Sequence, residues 1–445
     1  MKKALCRLLI LLFISQTVAE CFGGNIPSEE KNEKNSYSYL EKRIDFLDKK
    51  FLELQKNADD LNRRRVKLTL FFNASMLHSG NHNENLNHYS SNLDGTRFYN
   101  ASVKTSAIKF FVDLNEKMFL RVKINSTEKN RNFKFRVFFI RYAFDENSAM
   151  EIGGDYLPLS IAMDSAADSS VFPFLLESEL SGSYIKKQGV GGRMMHWWKN
   201  FGLVYGIFGN DINEDIKKTS SVSFASKFYH VSFREKNNFL HYGFEYLYSK
   251  KKYDEENAQS QELPSAGGRF VPFFSFSNVR RLNFEFITNY RSLNFTSEIS
   301  KTWLTPSRFA NKFGKSFSVN NFYLQTSYFL TGEERMYSEG LTKKYKVNHP
   351  VNEGGIGSIE LGARFSRSDN RDSLGNGTAN GLRMDYLKWT ECAAIASWLP
   401  TDATKFSFLV TKNFVRYDNP NLLRSVGDRG KTNFYNTELS FRIFM

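Results

Sequence analysis

Proline is scarce, nine in 445 residues, so little in the chain would interrupt long strands. Cysteine is scarcer: three residues, with Cys6 in the basic N-terminal start and Cys21 and Cys392 far apart, imply no disulfide framework. After residue 19 no window approaches 18 uninterrupted apolar residues, which excludes a helical membrane span and leaves only strands to make any crossing. The seven histidines show no HExxH spacing, and His78, His82 and His88 fall in an asparagine-rich stretch, so no metal site is expected. Gly189, Gly191 and Gly192 precede a strand pattern, not a helix, which argues against a phosphate-cradling loop. No Ser/His/Asp set stands out, and neither an enzyme nor a cofactor is expected.

Aromatic residues, in contrast, are abundant: 43 Phe and 21 Tyr, spread among many polar residues. That pairing suits strands with one apolar and one wet side better than a soluble sandwich, whose common core so many rings would overfill. From Arg65 the period is two. Met118, Leu120, Val122 and Ile124 alternate with Phe119, Arg121, Lys123 and Asn125, and Phe133, Phe135, Val137 and Phe139 alternate with Lys134, Arg136 and Phe138. Leu240 to Tyr248, Leu282 to Phe286, Ile359 to Phe365 and Thr437 to Ile443 repeat the pattern. Segments of about ten residues fit tilted strands crossing hydrocarbon, and the predicted fold is all-β, a transmembrane antiparallel barrel of about 16 strands over residues 65–445. Tight turns are expected at Asp113 to Lys117 and Asn278 to Arg281, and long polar loops at 79–99, 156–187, 250–266 and 367–383. The 156–187 segment is a candidate constriction loop. The five Trp, at 197, 198, 303, 389 and 398, lie near strand ends, as interfacial girdles would.

Ahead of the barrel, Met1 to Arg7 form a basic start, Leu8 to Val18 an apolar run too short to span a bilayer, and Thr17 to Ala19 a small-residue exit. This predicts a signal peptide over 1–19, cleaved after Ala19, and a polar spacer over 20–36. Tyr37, Ile44, Phe51 and Ala58 then recur every seventh residue, with Leu40, Leu47, Leu54 and Leu61 on the second seam. They predict a short self-associating coiled-coil helix over 37–63, whose seam residues leave dimer and trimer open. The full sequence carries a net charge of +14 and stays strongly basic once Lys2, Lys3 and Arg7 leave with residues 1–19; such an exported chain is expected to meet outer-membrane lipid and small anions, and no nucleic acid.

The stretch Asn321 to Glu333, with SYFLTGE at its core, resembles the strand-and-turn signature of the phosphate-selective porin O and P family. Gly202 to Asn210 (GLVYGIFGN), Ile359 to Ser366 (IELGARFS), and Trp398 to Asn419 followed by the last strand are similar to that family's elements in the same order. The resemblance implies a 16-stranded barrel of a Gram-negative outer membrane that forms homotrimers and passes small anions such as phosphate. On the alternation itself, Arg65, Lys67, Arg121, Lys123, Lys134, Arg136, Arg364 and Arg442 are the basic residues expected to line a pore, beside inward-facing Glu245, Glu285, Glu360 and Glu438. The expected function is passive diffusion of hydrophilic solutes with anion preference. A surface-exposed structural or adhesive barrel is the alternative, and channel conductance separates the two.

Overall fold

A computed structural model describes residues 66–81, 98–127, 130–158, 188–210, 219–235, 238–253, 276–306, 316–338, 341–343, 345–369, 386–418 and 431–444. The expected signal peptide, spacer, heptad helix with its seam residues, Arg65 and most of the 156–187 loop lie outside them.

Twelve strands come first: β1 (Val66–Asn81), β2 (Phe98–Asn115), β3 (Met118–Thr127), β4 (Asn130–Asp145), β5 (Ser148–Tyr156), β6 (Gln188–Trp197), β7 (Phe201–Phe208), β8 (Thr219–Glu235), β9 (Asn238–Tyr253), β10 (Phe276–Tyr290), β11 (Leu293–Pro306) and β12 (Phe317–Phe329). A small hairpin of β13 (Met336–Ser338) and β14 (Leu341–Lys343) follows, and then β15 (Ser358–Asp369), β16 (Tyr386–Thr401), β17 (Thr404–Asp418) and β18 (Lys431–Phe444). All but the hairpin join one closed antiparallel barrel of 16 strands, in which each pairs with its neighbour in the chain, β12 with β15, and β18 closes onto β1. Closure matters because an open edge would leave unpaired N–H and C=O groups in lipid.

The side chains are sorted inside out. Ile152, Ile207, Val222, Phe284, Ile299 and Leu439 are exposed on the outer wall, whereas Ser223, Glu285, Thr302, Glu360, Ser366 and Arg442 are fully buried on the inner one. In water the outer face would be a costly apolar surface. Against hydrocarbon it is the solvated side, and it holds the barrel at membrane depth.

Turn chemistry distinguishes the two rims. Two residues suffice between β2 and β3, β4 and β5, β10 and β11, and β16 and β17. Asp145 Oδ1 accepts from Asn147 N at 2.7 Å and its other oxygen from Ser148 Oγ at 2.8 Å, an Asx turn written into the sequence. Arg291 takes the left-handed conformation at φ 52° and donates its N–H to Asn238 Oδ1 at 2.7 Å. Most connections at the other rim are long. In outer-membrane barrels short turns face the periplasm and long loops the exterior.

Two expectations need correcting. Asn278 to Arg281 is not a turn: it lies inside β10, paired on both sides, and the two adjacent arginines point to opposite faces. In β4 the alternation slips, because register shifts between Lys123 and Ile124 of β3 place Val137 against Lys123 and Phe135 against Ile124. Val137 and Phe139 are therefore buried on the inner wall and Phe138 is exposed on the outer, the reverse of strict alternation. The tryptophans also divide. Trp198, Trp303 and Trp398 are exposed, but Trp389 is fully buried inside, donating to Asn413 Oδ1 at 2.9 Å.

Candidate pore

β2, β3 and β4 build one inner wall. Directly opposed residues share a face, so the pairing of Lys109 with Lys123 and of Asn125 with Lys134 sets these cations on the same inward surface. Arg121 is flanked by the Phe111 and Phe139 rings, 5.2 and 5.9 Å from its guanidinium carbon. Arg136 donates to Gln188 Oε1 at 3.2 Å, and Arg141 lies over the Trp197 ring at 4.9 Å. The only acids in these three strands, Asp113 and Asp145, stand at their turn ends. Acids reappear on β5, where Glu151 and Asp155 both hold Arg193, the latter at 2.8 Å.

The wall from β8 to β12 is nearly neutral. Lys227 Nζ lies 2.9 Å from Glu285 and 3.4 Å from Glu245, and His241 Nε2 meets Glu285 at 2.7 Å. Asn283 donates to Glu245 at 2.9 Å, and Tyr323 OH to Glu298 at 3.0 Å. Gly243 makes this packing possible, since a Cβ there would sit 2.6 Å from Glu285 Oε1. Gly243→Ala must push that carboxylate off Lys227 and His241. We expect a loss of about 1–3 kcal/mol, read as a lowered urea midpoint of the folded barrel.

Across β15 to β18, Arg364 pairs with Glu391 at 2.8 Å, and Glu360 with Lys405 at 3.7 Å and with Arg335. Arg335 does not belong to a barrel strand. It lies in the connection 330–357, the one long segment at the rim otherwise made of short turns, which folds inward. Gly332, at φ 86°, turns the chain. Thr331 Oγ1 accepts from Ile359 N at 3.0 Å, and Glu333 from Asn348 N at 3.2 Å. Tyr337 reaches one side of the lumen, bonding to His241 Nδ1 at 2.6 Å and packing on Phe239 with ring centres 4.3 Å apart. On the other side Tyr345 stands edge-on to Phe329 at 4.4 Å, and Val347 N donates to Asp402 at 2.8 Å. Burial and the Glu360 carboxylate hold the Tyr345 hydroxyl well above the usual phenol range, so it stays neutral. The SYFLTGE stretch thus ends a strand, makes a left-handed turn and supplies two caps for an inserted segment.

Of the eight basic residues expected inside, six have described side chains, and all six face the lumen. Arg121, Lys123, Lys134 and Arg136 lie together on the β3–β4 wall; Arg364 and Arg442 lie on the far wall among carboxylates. Lys67 is placed by its backbone alone, opposite Phe111. The same alternation could have identified Lys109, Lys227 and Lys405. Arg335 could not be found that way, because its segment has no strand period.

The family model described as Phosphate-selective porin O and P matches residues 107–443. The chain belongs to that family. It is an outer-membrane porin, a channel and not an enzyme. Among solved structures, this porin is similar to an anion-selective porin from Comamonas acidovorans, with a TM-score of 0.51 at 9% identity over 85% of this chain and 99% of that one. It is also similar to OprB from Pseudomonas putida, with a TM-score of 0.50 at 10% identity over 88% and 97% of the respective chains. At such identities the likeness is one of fold. No curated protein sequence matches the porin.

Proposed function

We propose that this porin passes small hydrophilic solutes with a preference for anions, phosphate among them. The observation carrying the reading is the wall of β2 to β4: Lys109, Arg121, Lys123, Lys134, Arg136 and Arg141 face the lumen, and the only acids of those strands sit at their turns. A fixed cation beside a narrow aqueous path lowers the energy of a passing anion and raises that of a cation, more so as the local dielectric falls. Arg65 and Lys67 extend this wall on the two-residue period. Arg364 and Arg442 contribute less, because Glu391 and Glu438 share their face.

The test is a reversal potential in a planar bilayer under asymmetric KCl. Chloride selectivity is expected, decreasing as salt rises and the charges are screened. Cation selectivity would remove the reading.

The active unit is a homotrimer, with the helix 37–63 joining copies through Tyr37, Leu40, Ile44, Leu47, Phe51, Leu54, Ala58 and Leu61. The support is the heptad spacing and the family. The precursor loses residues 1–19 on export.

A further inference from the structure

We propose that the outer wall from β10 to β17, at the rim of the long loops, is a docking site for a phosphorylated, acylated lipid of the outer leaflet. Arg280, Lys301, Arg367, Lys388 and Arg416 all point outward within a few residues of strand ends that lead into long connections, and Lys412 points outward nearer the middle of β17. Strand register ties them into one band: Lys301 opposes Asn320, Asn320 opposes Asp369, Asp369 opposes Lys388, and Lys388 opposes Arg416. Towards the short turns, the outward positions of the same strands carry no charge.

Two acids share this face by register: Asp369, 3.5 Å from Arg367, and Asp418, two residues beyond Arg416 at the end of β17. The other contacts are with rings. Arg280 lies over Tyr248 at 5.8 Å, Lys301 over Trp303 at 5.6 Å, and Lys412 at 5.0 Å from both Phe414 and Tyr435. Tyr and Trp with snorkelling cations mark the headgroup level, where a lipid-facing charge is tolerated; deeper in hydrocarbon it is not.

Six cations against two carboxylates call for an anion from outside the chain. Phosphate esters supply it through charge-assisted hydrogen bonds, whereas a zwitterionic headgroup brings its own cation and offsets the gain. Beside Lys301 and Arg367 a groove of about 490 Å³ opens, with Phe244, Phe284, Ile299 and Phe322 in its lining. An acyl chain fits the groove while the phosphates meet the band. The assignment rests on the outer-membrane reading, which places the long loops at the exterior.

The experiment counts lipids bound to the full-length porin in detergent by native mass spectrometry. Bis-phosphorylated lipid A is compared with the same lipid after dephosphorylation, for wild type and for the combined variant K301Q/R367Q/K388Q. We expect the phosphorylated lipid to be retained by wild type, and its affinity to fall about 100-fold in the combined variant. K301R/R367K/K388R should retain it. Single-channel conductance should be unchanged in both variants, so a failed channel reading and a failed lipid site are distinguishable. If the combined variant does not give a folded, heat-modifiable band, K301Q and R367Q alone should each lower affinity about fivefold. The proposal is overturned by equal retention of both lipids, by undiminished binding in the glutamine variants, by displacement with inorganic phosphate, or by a second copy of the chain occupying this face.

Discussion

With Lys109, Lys123 and Arg136 all changed to glutamate, the porin should lose its anion preference. These three side chains share the inner wall of β2 to β4, and the first two are directly opposed. At an effective dielectric constant of about 40, a fixed charge about 8 Å from a monovalent ion shifts its energy by about 1 kcal/mol. Each reversal moves the wall by two charges. Three of them balance Arg121, Lys134 and Arg141 and leave the wall without net charge, so the reversal potential in asymmetric KCl should collapse to near zero at low salt. The matched control is R364Q/E391Q, which removes a 2.8 Å ion pair from the far wall without changing net charge and should leave the potential where it was. A triple glutamate variant that stayed anion-selective would mean the solute path avoids β2 to β4.

The barrel itself was legible because its signal is redundant. Each strand must show an apolar face to lipid and a polar face inward, and β15 does so from Ile359 to Ser366, with Ile359, Leu361 and Phe365 outside and Glu360, Arg364 and Ser366 inside. What failed was local. The β4 bulge reverses the face of Val137 and Phe139, and its cause is a register shift that strict period-two counting cannot contain. Asn278 and the two arginines after it read as a polar turn. They are in fact the end of a strand where Arg280 reaches headgroup level outside and Arg281 enters the lumen. Inward cations were legible by parity, but their grouping was not. Whether a lysine is offset by a glutamate depends on pairing between strands far apart in sequence, as with Lys227 and Glu285.

The inserted connection gives the second large effect. The described residues of 333–347 lie inside the short-turn end, resting through Tyr337 on β8 to β10 and through Arg335, Tyr345 and Val347 on β15 to β17 and the turn at Asp402. They cross the lumen on the neutral side and leave the β2 to β4 wall as the cationic one. Asn348 N is bonded to the Glu333 carboxylate, so the ends of the insert already meet, and replacing 334–347 by two glycines closes the chain without pulling on β12 or β15. Those strands remain registered with each other from Asn320 and Asp369 to Phe329 and Glu360, so the barrel should still form. Single-channel conductance should then rise severalfold, and anion selectivity should weaken as solutes gain a path away from the cationic wall. Tyr337→Ala should give a smaller rise, because it frees only the β8 to β10 side. Losing the insert also leaves Glu360 with Lys405 as its remaining partner at 3.7 Å, a fully buried pair that costs stability when either charge is left alone. A lower unfolding midpoint is therefore expected alongside the larger conductance. If conductance were unchanged in a variant that still ran as a folded, heat-modifiable barrel, the insert would be a brace on the wall and no part of the solute path.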